Sequence, residues 1–357
     1  MRLARQIAGL TAFIVTTGIF LAPLSGQNPE SPGSTPAAAS EKHLRNIRQL
    51  TFGGENAEAY FSHDERSIIY QAHQGEETCD QIYIMDLAGG NRRQVSNGKG
   101  RTTCGYYFPS GDRILYSSTY LGSEACPPKP DYSHGYVWPV ENSYDIFTAK
   151  PDGSDLRRLT STPGYDAEAT ISRNGRKIVF TSIRDGDLDI YTMDANGKNV
   201  KRLTNQTGYD GGPFFSADGK RIVYRAYHPT DPKELEEYQT LLRQGLVRPS
   251  KMEIFVMDAD GGNQRQLTQL GAASFAPYFH PDGKRIIFAT NKSDPRGRSF
   301  ELYMIQSDGS APERITFTEG FTSFPMFSSD GKRLVFASTR NAKARGEINL
   351  FIADWVD

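Results

Sequence analysis

The chain has 357 residues, 41 basic and 42 acidic, for a formal charge of −1, and it carries 34 glycines and 20 prolines. Charges of mixed sign argue against a nucleic-acid binder, which should show a basic stripe. So much glycine and proline fits a turn-rich all-β chain, and the length suits either two ordinary domains or one domain built from repeats.

Met1-Arg2-Leu3-Ala4-Arg5 is a short basic segment, followed by an uncharged, largely apolar run from Gln6 to about Leu24. Residues 1–26 read as an export signal. Cleavage is expected, at Ser25-Gly26 or at the later Ala-x-Ala pattern Ala37-Ala38-Ala39. The alternative is an uncleaved anchor, since the run nearly reaches spanning length, and no other membrane association is expected. No cysteine stands near the end of the run, which argues against a lipid anchor. Residues 27–42, rich in Pro, Ser, Ala and Gly, read as a disordered linker.

The rest of the chain, 43–357, is one unit repeated six times. The clearest copy, 214–224, reads Phe-Phe-Ser-Ala-Asp-Gly-Lys-Arg-Ile-Val-Tyr: a strand, a tight Asp-Gly turn and a second strand. Copies follow at 278–288 and 326–336, with weaker ones at 60–70, 106–116 and 170–180. Each continues into a third strand ending in an acid, such as Asp189-Ile190-Tyr191-Thr192-Met193-Asp194. A second turn follows, then a short fourth strand ending in Arg-Leu-Thr or a variant, as at Arg202-Leu203-Thr204. Four antiparallel strands repeated six times are the signature of a six-bladed β-propeller. The sixth copy stops after its third strand, Asn349-Leu350-Phe351-Ile352-Ala353-Asp354. The missing fourth-strand sequence stands instead before the first copy, as Asn46-Ile47-Arg48-Gln49-Leu50-Thr51. The N-terminal strand is therefore expected to complete the last blade and remove the open seam.

The first turns are spaced 46, 64, 44, 64 and 48 residues apart, so blades 2 and 4 carry insertions, at about 119–143 and 228–251. Both fall between second and third strands, on the face opposite the Asp-Gly turns, here called the loop face. In the second insertion Asp231, Pro232 and Glu234 make a helix start, Leu235, Tyr238, Leu241 and Leu242 an apolar face, and Gly245 a stop. A helix over about 232–244 is expected. The blade 2 insertion is rich in proline and aromatics, with Tyr132, Tyr136 and Trp138, and reads as an ordered irregular flap.

Aligned on the turns, the entries to the first strands form rings at the channel mouth on the loop face. One ring holds Asn56, Thr102, Asp166, Asp210, Ser274 and Thr322. Two residues on stand Glu58, Cys104, Glu168, Gly212, Ala276 and Phe324, and one residue before the first ring stand Glu55, Arg101, Tyr165, Tyr209, Ala273 and Phe321. Two readings of the acids compete. In one they bond neighbouring loop amides, as loop acids commonly do. In the other, Glu58, Asp166, Glu168 and Asp210 converge on a hard cation such as calcium or on the cationic part of a ligand. A carboxylate pair in catalysis is a third. Arg101 is placed to pair with an acid across the mouth. No cofactor is required, calcium being the one these residues suit. In an exported chain with three cysteines one disulfide is expected, joining Cys104 to Cys79 or to Cys126. The local signatures of common enzymes (Gly-x-Ser-x-Gly, His-Glu-x-x-His, Gly-x-x-x-x-Gly-Lys) are missing from the sequence.

The repeats, Ser-x-Asp-Gly-Lys-Arg-Ile-Val-Phe, then Ile-Tyr-x-Met-Asp, Asp-Gly and Arg-Leu-Thr, resemble the WD-like repeats of the TolB-like propeller family over about residues 43–357. That resemblance implies six blades, strand-swapped closure, export to the periplasm or beyond, and protein binding. The plain repeat has neither insertion, and only a linker stands where TolB itself has an N-terminal domain. The expectation is a monomeric, non-enzymatic scaffold that binds an envelope or extracellular protein, peptide or glycan on its loop face. The binding residues are expected to be Arg101, Tyr132, Tyr136, Trp138, Tyr165, Asp166, Glu168, Tyr209, Asp210 and Phe321. The alternative is a hydrolase or lyase with a carboxylate- or metal-dependent site at the channel mouth.

Overall fold

A computed structural model describes residues 41–73, 79–133 and 135–357. Residues 1–26, read above as an export signal, and residues 27–40 of the expected linker lie outside the described residues. Six four-stranded antiparallel sheets form the blades. Blade 1 is Glu55–Phe61, Ser67–His73, Gln81–Asp86 and Arg93–Gln94. The first strands of the other blades are Thr102–Tyr107, Asp166–Ile171, Tyr209–Phe215, Ser274–Phe279 and Thr322–Phe327. Neighbouring first strands pack on one another around a central channel.

The repeat motifs are explained by hydrogen bonds. In the first turn Ser216 Oγ donates to Asp218 and accepts the Arg221 amide, which fastens the hairpin; Ser62, Ser172 and Ser328 repeat this. The threonine of Arg-Leu-Thr ties the fourth strand to the third. Thr204 Oγ1 accepts the Ile190 amide at 2.9 Å and donates to Asp189 at 3.0 Å, and Thr160, Thr268 and Thr316 do the same. These bonds satisfy polar groups that would otherwise be buried unpaired between the strands.

Closure follows the expected route. Leu44–Gln49 pairs antiparallel with Asn349–Trp355, Leu44 opposite Trp355 and Gln49 opposite Phe351. Thr51 then takes the threonine role, accepting the Leu350 amide at 2.8 Å and bonding Asn349. Leu44 and Ile47 are fully buried in a cluster with Phe327, Leu334, Phe336, Phe351 and Trp355. Residues 41 and 42, at the end of the expected linker, both have partners in the propeller. Glu41 is buried against Arg340, 3.1 Å away, and Lys42 pairs with Glu313 at 2.7 Å. A buried Arg340 needs a carboxylate, and Glu41 supplies it.

The helix forms as expected, Pro232–Arg243, with Asp231 accepting the Lys233 and Glu234 amides and Gly245 in the left-handed region at φ 71°. Tyr238 is its one fully buried residue, its hydroxyl bonded to Asp187. Among the described residues the flap is irregular but for a short strand, Trp138–Pro139, and that strand pairs with Leu246–Val247 of the other insertion. The two insertions thus form one structure. It is held by a satellite core of Val140, Leu188, Tyr209, Tyr238, Val247 and Met252, which reaches across blade 3.

Candidate functional site: the channel mouth on the loop face

Each first strand carries one residue in the left-handed region at the same register: Glu58, Cys104, Glu168, Gly212, Ala276 and Phe324, with φ between 51° and 59°. The hairpin pairing slips at each of these positions, which marks a bulge. For a residue with a Cβ this backbone costs roughly 1–2 kcal/mol, yet five blades of six adopt it without glycine. The bulge turns these residues inward, and all six line a cavity of about 270 Å³. Its floor is a plug of rings two residues further on. Tyr60 lies 5.1 Å from Tyr106 and 5.6 Å from Phe214, and Phe214 lies 5.4 Å from Tyr278. Beyond the plug the turn-face mouth is a smaller depression of about 120 Å³. Tyr136 and Trp138 of the flap and Phe275, Phe321 and Phe324 of blades 5 and 6 complete the cavity walls. Tyr136, Trp138, Phe275 and Phe321 also border an open groove of about 800 Å³, whose far rim carries Lys292, Arg296 and Arg298.

The polar centre of the cavity is an ion pair between Glu168 and Arg225. Glu168 Oε2 also accepts from Thr181 at 2.8 Å and from the Gly212 amide at 2.9 Å, while Arg225 donates to the Tyr209 hydroxyl at 2.6 Å. Arg225 lies 5.2 Å from the Trp138 ring centroid, a cation–π contact that seats the flap. Burial works against its charge and Glu168 more than offsets this, so its pKa stands above the ordinary value. Two glycines make the room. A Cβ on Gly212 would lie 2.0 Å from Arg225 Nη1, and one on Gly211 2.3 Å from the Tyr209 hydroxyl. Glu58 faces the same cavity with the Cys104 thiol as its hydrogen-bond partner; burial first, then Glu168, pushes its carboxyl up to about 7. Burial, and the carboxylates of Glu58 and Glu168, push the Cys104 thiol well above its ordinary value, so it stays protonated and unreactive.

The structure brings together Glu58, Glu168, Tyr136, Trp138 and Phe321 at this cavity, with Tyr209 bonded to Arg225 just behind. It does not bring the four carboxylates together. Asp166 pairs with Arg184 at 2.8 Å and Asp210 with His228 at 3.0 Å, both aspartates buried. A regular strand would put residues two apart on one face; the bulge breaks that alternation. Among the described residues no three His, Cys, Asp or Glu side chains gather as a metal site. Arg101 finds no acid among the described residues; its guanidinium lies 3.5 Å from the Pro127 carbonyl. Tyr165 packs edge-on to Tyr144 beside the satellite core, and Tyr132 is exposed, stacked on Tyr136.

The disulfide expectation is corrected. Cys79 bonds Cys126, their Cα atoms 5.5 Å apart, and Cys104 is free. The bridge ties the flap to blade 1, while the bulge carries Cys104 into the channel. Arg225, Phe275 and the role of the two glycines were missed. Their signals were a lone charge, Arg225, in the buried run 222–226 and a Gly-Gly pair where other blades carry side chains.

Six blades around a channel stopped in the middle and open at one lined mouth define a β-propeller with a ligand-sized chamber. The TolB β-propeller domain family matches residues 136–234 and 239–353, more than half of the chain, and the protein belongs to that family. Among solved structures it is similar to TolB from Acinetobacter baumannii, at 21% identity and a TM-score of 0.55 over 76% of this chain; the match spans 56% of that protein, just over half its length. A putative TolB from Agrobacterium tumefaciens matches at 19% identity and a TM-score of 0.55, covering 85% of this chain and 91% of that one. An oligogalacturonate lyase from Vibrio parahaemolyticus matches at 13% identity and a TM-score of 0.50, covering 86% and 93%. At these identities the structural likeness speaks to the fold.

Proposed function

We propose that the protein is an exported binding module that holds an extended segment of an envelope or extracellular protein at its loop face. The observation that carries this reading is the continuity of the cavity with the groove. Tyr136, Trp138, Phe275 and Phe321 belong to both, so a segment lying in the groove places one residue in the cavity against a buried polar centre. Aromatic anchors around a few placed polar groups are what a specific contact needs. The TolB family membership supports a protein partner, and the Cys79–Cys126 bridge and the basic-then-apolar N-terminus support an oxidising, exported location.

The test is capture from envelope extract by the mature protein and by a Trp138→Ala variant. Partners retained by the first and lost by the second support the reading; identical capture by both overturns it. One observation favours a second reading. A carboxyl that titrates near 7 suits general acid–base chemistry, so Glu58 would serve a lyase or hydrolase acting at the mouth. Turnover of an oligosaccharide or peptide library that Glu58→Gln abolishes would establish it.

A further inference from the structure

The cavity offers a group whose needs the protein leaves unmet. Glu58 has no ion pair among the described residues; the Cys104 thiol is its neighbour, and a thiol is a weak donor. Arg225 beside it is buried and its charge is balanced by Glu168, so Glu58 is the group left to meet the charge of a ligand.

The walls narrow the class of ligand further. Tyr60, Trp138, Phe275, Phe321 and Phe324 present rings around Glu58 and Arg225. Aromatic faces attract organic cations and do not replace the oxygen shell a hard metal ion requires. An engineered cavity of about 150 Å³ takes benzene; one of about 270 Å³ has room for a long side chain and part of its backbone. The mouth opens to the groove along Tyr136 and Trp138, so the rest of the ligand can lie outside.

We propose that the cavity recognises a primary ammonium on a peptide, that of a lysine side chain, with the ammonium on Glu58 and the alkyl stem against the rings. This rests on the binding reading above and names what that site selects.

Calorimetric titration of the mature protein with four probes tests it: Nα-acetyl-lysine amide, Nα-acetyl-norleucine amide, norleucine amide with a free α-amine, and n-butylamine. The lysine probe should bind at least about tenfold more tightly than acetyl-norleucine amide, the scale of one charge-assisted hydrogen bond. Butylamine, with an ammonium and less apolar surface, should bind more weakly than the lysine probe. Glu58→Gln should abolish the preference for lysine; Glu58→Asp, which keeps the charge, should retain a preference. Equal binding of the lysine and acetyl-norleucine probes, or lysine binding that survives Glu58→Gln, overturns the proposal. Tighter binding of free-amine norleucine amide than of the lysine probe overturns the side-chain assignment in favour of a peptide N-terminus. If no probe binds, the inference falls, while capture of a partner that depends on Trp138 still decides the binding reading separately.

Discussion

At the scale of single residues, the site depends on atoms that are missing as much as on those present. Gly212→Ala would put a Cβ 2.0 Å from Arg225 Nη1. The guanidinium must then leave Glu168, and breaking a buried pair costs about 3–5 kcal/mol. Urea denaturation should show a loss of that order, whereas Gly90→Ala, whose Cβ meets nothing within 4 Å, should change stability by less than about 0.5 kcal/mol. Glu58 makes stability depend on pH. Its carboxyl titrates at about 7 when folded against 4.5 for an ordinary glutamate, so folding retains a proton that the unfolded chain releases. Its contribution is fully present below pH 4.5 and is lost as pH rises through about 7. Glu58→Gln removes that slope. At pH 8 the variant should be more stable than the parent by roughly 1–3 kcal/mol, discounted because the carboxyl opens on to a cavity, and at pH 4 the two should match. Parallel stability–pH curves would refute this account.

At the scale of elements, the closing strand and the flap carry the consequences. Ile47 is fully buried between the first and last parts of the chain. Ile47→Asp places an unpaired charge there and should cost several kcal/mol and fray blade 6, seen as faster amide exchange over 349–355. An unchanged melting temperature would mean the seam is held elsewhere. The flap is fastened three ways: by the Cys79–Cys126 bridge, by pairing with the blade 4 insertion and by Trp138 on Arg225. The bridge closes a loop with a sequence separation of 47. On chain-entropy grounds Cys126→Ser should cost about 2–4 kcal/mol, with Cys104→Ser costing much less. Peptide mapping of non-reduced protein should find Cys79 joined to Cys126 and a free thiol at Cys104.

At the scale of the whole molecule, the propeller presents two faces of different character. The turn face carries short turns around a depression, three of them fastened by the same serine–aspartate bond. The loop face carries the cavity, the groove and the joined insertions. Partner binding should therefore weaken by about 1–3 kcal/mol on Trp138→Ala if that ring is central to the contact, and should tolerate Lys220→Glu with Lys332→Glu on the turn face. Affinity for a captured partner, measured with each variant, separates the faces; loss with the lysine pair alone would reverse the assignment.

Blade number, closure and helix were legible in the sequence because each rests on local pattern. The Ser-x-Asp-Gly turn, the Arg-Leu-Thr ending and the capped start at Asp231 act within a few residues, and the surplus strand at 46–51 matches the deficit after Asp354. The loop face as the place of the insertions followed from strand parity alone. The make-up of the site did not. Whether Asp166 or Glu168 faces the channel turns on one bulged residue per blade, and a bulge shifts every side chain beside it without a fixed sequence mark. Likewise Arg225 meets Glu168 from the next blade, Trp138 meets Arg225 from an insertion in blade 2, and Cys79 reaches Cys126 rather than Cys104. Those contacts join residues far apart along the chain, and only the closed ring, by fixing the blades around one channel, decides which of them meet.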